Sequence, residues 1–221
     1  MTTDKSDAAS DAGLWLALGG ILLAVVLPLH GPTQADLSVQ MQDIADGHGR
    51  WAVVHWLAAI SLILLAGAGF LFFVELQIRR RAGTPAGAWL LFAIGSLVTI
   101  GTAVSEATAI SSAAGSDDFE SFVMWWRFAS GLGNGFMIVA LATAAIAWAA
   151  GSAKKPLIPP WACRVASIIA LLSAIGWSLA QHFRLELGGP IWFVSTLLTS
   201  LWLAWYGFRS RGIAGSTKTT S

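Results

Sequence analysis

His55 and Glu106 are the first candidates for chemistry in this chain, because each stands inside a long apolar run. An ionisable side chain in such a run is costly unless it faces a bundle interior and finds a partner there. Helical periodicity puts both on faces that also carry small or hydroxyl residues. His55 shares a stripe with Ala59, Leu62, Ala66 and Gly69, and Glu106 shares one with Thr102, Thr99 and Gly95. Small residues let a neighbouring helix come close, so these faces point inward. By the same reading Arg127 lies with Ser130, Gly131 and Asn134, His182 with Ser178 and Ala174, and Ser195 and Thr199 beside Trp202 and Tyr206.

Imidazole and carboxylate together suit a divalent metal such as zinc or copper. His55 and Glu106 are the candidate ligands, with His30, His48 or His182 to complete the set. The same two groups, with Asn134 and Arg127, are equally candidates for holding or carrying a proton or a small polar ligand. Haem b between His55 and a second histidine is a third chemistry, although no second histidine lies comparably deep. Against all three stands a purely structural role. Glu106 would then pair with Arg127 or His55, the hydroxyls would bond helix to helix, and the protein would be an accessory membrane subunit without a site of its own.

Several chemistries are excluded by spacing. There is no HExxH. Cys163 is the only cysteine, so neither a disulfide within the chain nor a CxxC or CxxCH motif is available. No Ser/His/Asp spacing is recognisable, and no residue is assigned a catalytic role. Cys163 and His48 read as a packing residue and a solvated loop residue. The run Gly131-Leu132-Gly133-Asn134-Gly135 lies within an apolar segment and follows no strand, so it predicts close packing, or a kink, instead of a phosphate loop.

The elements that position these groups follow from composition. The chain has 221 residues, 56% hydrophobic and 11% charged, against about 25% charged in a typical soluble domain. Such a chain cannot cover a water-facing surface, and its net charge of +1 gives no argument for nucleic acid. Six runs are long enough to span a bilayer, at about 30 Å of hydrocarbon and 1.5 Å rise per residue. They are 13–30, 51–75, 88–110, 126–151, 161–183 and 191–208. The polar start, residues 1–12, and the Gly/Ser/Thr-rich tail, 209–221, are expected to be disordered. No cleavable signal pattern precedes the first run, so it reads as a retained span. In the loop 31–50, Leu37, Met41 and Ile44 recur at helical spacing with Gly47 as C-cap, which predicts a short amphipathic helix on the membrane surface.

Orientation follows from charge. Alternating loops put Lys5, Arg79, Arg80, Arg81, Lys154, Lys155, Arg164, Arg209, Arg211 and Lys218 on one side, against Arg50, Arg127 and Arg184 on the other. Ten against three predicts both termini in the cytoplasm, with 79–87 and 152–160 inside and 31–50 and 111–125 outside. The tryptophans fall towards the ends of the runs, as interfacial belts do. The expected protein is an all-α, six-helix polytopic bundle with residues 13–208 as its single domain. Its setting is the lipid bilayer of a bacterial inner membrane, alone, as a homo-oligomer or beside a partner membrane subunit. His55 and Glu106 lie about 6 Å inside the outer boundary and Asn134 about 12 Å, which predicts a polar pocket open to the outer side.

Overall fold

The structure, a computed structural model, describes residues 5–31, 33, 34, 36–78 and 86–216, and the side chains of those between 11 and 211. Arg79, Arg80, Arg81 and Lys218, which carry much of the charge asymmetry, lie outside the described residues. The chain folds as helices throughout, with no strand among the described residues. They are α1 (Lys5–His30), α2 (Leu37–Asp46), α3 (His48–Ile78), α4 (Ala86–Ser105), a π-helical turn (Glu106–Ile110), α5 (Ser111–Gly115), α6 (Phe119–Leu132), α7 (Gly135–Gly151), α8 (Pro160–Gln181) and α9 (Gly188–Ser216). Six segments are long and apolar enough to cross a membrane: Asp11–His30, His48–Ile78, Ala86–Gly115, Phe119–Gly151, Pro160–Gln181 and Gly188–Arg211. Leu, Ile, Val and Phe dominate their exposed faces, for example Ile60, Ile63, Leu97, Leu141, Ile168 and Leu198. Apolar residues on the outside of a bundle are what lipid requires.

Helix extends further at both termini than the sequence reading allows. α1 begins at Lys5, within the stretch 1–12, and α9 continues to Ser216, within 209–221. An apolar run that is already helical removes the nucleation cost for its flanks, and the alanine-rich KSDAASDA follows it readily.

Each span packs on the next in sequence, and α9 packs back on α1, so the six form a closed ring. The closing seam is antiparallel and built from small residues. A Cβ added at Gly20 would lie 2.7 Å from the carbonyl oxygen of Ser200, and one at Gly13 the same distance from that of Gly207. The ring is filled rather than hollow. Leu16, Leu65, Phe92, Ile146 and Leu203 are fully buried in the main core, and between Leu62, Phe136, Ser173 and Thr196 only about 20 Å³ is left, roughly room for one water.

Buried hydroxyls find protein acceptors, as they must where water is absent. Some bond one turn back along their own helix, as Ser96 does to Phe92 O and Thr99 to Gly95 O, both at 2.8 Å. Others tie helices together: Ser61 to Gly19 O at 2.8 Å, Thr102 to Ala129 O and Ser167 to Ala144 O, both at 2.9 Å.

The short helix expected from Leu37, Met41 and Ile44 is α2. Asp36 caps it by accepting from the Ser38 hydroxyl and the Ser38 and Val39 amides, which holds its carboxyl below the usual range. Its apolar face does not lie on lipid, however. Met41 and Ile44 are buried against Trp51, Ile110, Ala113 and Phe122, so α2 caps the end of the bundle. The reason is that the α5–α6 corner offers an apolar surface at the same level, and burial there removes more area from water than a lipid boundary does.

Close approach makes one testable statement about stability. A Cβ at Gly95 would stand 2.9 Å from Gly135 O and from Val139 N, both backbone atoms of the facing helix, whereas one at Gly87 meets nothing within 4 Å. Gly95→Ala should cost about 1–3 kcal/mol by overpacking, read as a lower melting temperature in detergent. Gly87→Ala should be neutral or gain up to about 1 kcal/mol from helix propensity.

Candidate metal centre

Three consecutive helical segments bring His30, His55 and Glu106 together at the α2 end of the ring. His30 is the last residue of α1, where Pro28 and then Gly31, at φ +77°, end the helix. His55 lies two turns into α3. Glu106 opens the π-helical turn that interrupts the third span. Such turns often accompany functional sites. No glycine or proline in Thr102–Ser112 announces this one.

One ligand atom from each residue lies within 4.8 Å of the others. His55 Nε2 is in close contact with Glu106 Oε2, and His30 Nε2 stands 3.8 Å from that same oxygen. The site is largely closed: the His55 side chain is 4% exposed, that of Glu106 15% and that of His30 22%. Trp51 forms one wall, its ring 4.4 Å from that of His55 and 4.9 Å from that of His30.

Hydrogen bonding decides which nitrogen each imidazole offers. His55 Nδ1 lies 2.8 Å from Trp51 O, and His30 Nδ1 lies 2.9 Å from Gly31 O. A carbonyl oxygen can only accept, so both Nδ1 atoms carry a proton. In each neutral ring Nε2 then presents a lone pair, and both lone pairs face one carboxylate oxygen. Lone pairs repel unless something positive lies between them. A proton can satisfy one of the two imidazoles. One metal ion can satisfy all three groups, and an Nδ1–H held by a backbone carbonyl is the usual orienting device of a metal-bound histidine. A tetrahedral zinc, with bonds near 2.0–2.2 Å, places its donors about 3.3–3.5 Å apart. Closing on such an ion would draw His30 in and move His55 and Glu106 apart.

Haem b fits less well. Axial histidines lie on opposite faces of a macrocycle, whereas the rings of His30 and His55 touch edge to face at 4.9 Å between centroids. No porphyrin fits between them.

The remaining candidates lie elsewhere. Asn134 sits in the break between α6 and α7 and clasps α8: its Oδ1 accepts from Trp177 Nε1 at 3.2 Å and from His182 Nε2 at 3.0 Å. Its Nδ2 donates to Gly131 O at 3.1 Å. Asn134 and His182 therefore form a structural clasp of their own, and the Gly131–Gly135 run breaks the helix between Leu132 and Gly135 and packs closely at Gly133 and Gly135. Arg127 is exposed beside Phe119, Glu120 and Met124 and does not pair with Glu106, whose partners are the two histidines. His48 is exposed, and Cys163 is buried in the main core.

One signal in the sequence separates His30 from His182. Consecutive elements are usually neighbours, so residues at one end of the first three spans can meet, while the fifth lies across the ring. Trp51 offered no comparable signal, since its position at a span end reads as interfacial, and yet it is 6% exposed.

No family model matches the chain, and no curated protein or solved structure matches it either.

A double-mutant cycle tests the pairing. His55→Ala and Glu106→Ala should each lower the melting temperature, and the double variant should fall short of their sum by a coupling of about 0.5–3 kcal/mol. Arg127→Ala and His182→Ala should combine additively with Glu106→Ala. Additivity between His55 and Glu106 would mean that they do not act as a unit.

Proposed function

We propose that this is a multi-pass membrane protein that binds a divalent transition-metal ion through His30 Nε2, His55 Nε2 and a Glu106 carboxylate oxygen, in a shallow pocket at the outer side. The observation that carries the reading is the convergence of two Nε2 atoms, their Nδ1 partners already committed to backbone carbonyls, on one carboxylate oxygen. Two histidines and one carboxylate suit zinc or iron, and leave coordination positions open.

A held ion is better supported than a transported one. One turn deeper than the three ligands stand Leu27, Ala59 and Ala103, all buried and apolar, and Thr102, whose hydroxyl already donates to Ala129 O on the neighbouring helix. Nothing there replaces the hydration shell of an ion moving further in. The site therefore has one entrance, and the metal is a resident of it.

The test is metal content and affinity of the purified full-length protein. One zinc per chain is expected, with Kd raised on the order of 100-fold or more by His55→Ala, Glu106→Ala or His30→Ala, beyond what loss of an outer hydrogen-bond partner costs. Asn134→Ala, Arg127→Ala and His182→Ala should leave it unchanged. Zinc at a hundredfold excess over Kd should stabilise by about 2.7 kcal/mol, and a chelator should reverse that. Wild-type affinity in all three ligand variants would defeat the reading.

The side on which the site opens rests on the basic residues, ten of which fall on the proposed cytoplasmic face. In a Cys163→Ala background, Ser116→Cys should react with an impermeant thiol reagent from outside intact cells, and Ala153→Cys should react only after lysis. The reverse pattern would turn the site towards the cytoplasm.

A further inference from the structure

The charges of the three ligands say what else the site takes, given the metal reading above. Two neutral imidazoles and one carboxylate leave a divalent ion with one uncompensated positive charge. That charge would sit in a largely closed site, where an unpaired ion is expensive. The neighbouring protein does not supply the missing anion. Among the described residues the cluster holds one carboxylate, and Arg50 is the other charged group acting on His30.

Two hydroxyls on the same span as Glu106 are already committed elsewhere: Thr108 Oγ1 donates back to Val104 O at 2.6 Å, and Ser111 Oγ to His48 O at 3.3 Å. The wall offers instead a hydrogen-bond donor with nothing to bond. Trp51 Nε1, on the ring that lies tilted against both imidazoles, is buried and has no acceptor among the described residues. A buried N–H of this kind calls for a partner.

We infer that the metal centre binds a small monovalent anion as its exogenous ligand, with the metal ion and the Trp51 indole N–H as its two contacts. Small size follows from the narrow access, since only the edges of His30 and Glu106 are reached from outside. Charge follows from the ligand count. Trp51 is a positioning residue for that anion and not a metal ligand.

Cobalt(II) makes the site visible, and azide is the probe anion. The full-length protein in detergent, loaded with cobalt in buffer free of competing halide, should show the intense visible bands of a four- or five-coordinate ion. Azide should shift those bands saturably. In Trp51→Phe, which keeps an aromatic wall and loses the donor, cobalt should bind with unchanged stoichiometry while the azide Kd rises roughly five- to tenfold. Cobalt bands that azide leaves unmoved at any excess would overturn the anion site while the metal reading stands. Absence of bound cobalt from the wild-type protein would overturn both. An unchanged azide Kd in Trp51→Phe would remove the indole from the site.

Discussion

Inside a bilayer no water is available to a stray polar atom, and the arrangement of this bundle follows from that constraint. Helices satisfy the backbone. The hydroxyls then bond to carbonyls, either within one helix, as Thr143 does to Val139 O at 2.7 Å, or between helices, as Ser61 does to Gly19 O. Ser173 and Thr196 bond to each other at 2.7 Å across the α8–α9 seam. Asn134, the largest uncharged polar group in the fourth span, uses both its oxygen and its nitrogen on protein partners. Among the described residues, the cluster of ionisable groups that this accounting does not close is His30, His55 and Glu106.

Closure of the ring is what makes that cluster a site. Association in lipid gains little from hydrophobic burial and depends on close packing, which the small-residue seams provide at Gly13, Gly20 and Gly207 between α1 and α9 and at Gly95 and Gly135 between α4 and α7. With the seams shut, the ends of three neighbouring spans are held at fixed separations. α2 then covers that end, with Met41 and Ile44 in one buried cluster with Trp51, whose ring also lies against both imidazoles. The cap and the cluster thus share one indole ring.

Energetically the cluster stands in contrast to the layer beneath it. Leu27, Ala59 and Ala103 need no partners and Thr102 finds one in Ala129 O, whereas a carboxylate one turn away must be matched by positive charge. The match is local and shallow.

Much of this was determined by the chain's residue types alone. Six apolar runs of spanning length dictate an all-helical membrane bundle, because no other structure satisfies a lone backbone segment in hydrocarbon. The inward faces of His55 and Glu106 could be read from the 3.6-residue period, and α2 from its apolar spacing and the Gly47 that ends it. What periodicity cannot supply is distance between helices. Tertiary structure brought His30 to the pair and left His48 exposed, placed Arg127 on the surface, and paired Asn134 with Trp177 instead of Glu106. It also introduced the π-helical turn at Glu106, for which the local sequence carries no breaker, and turned α2 from the lipid onto the protein. The physical reason is the same in each case. A single helix face specifies a direction, and only the packing of neighbouring helices converts directions into contacts.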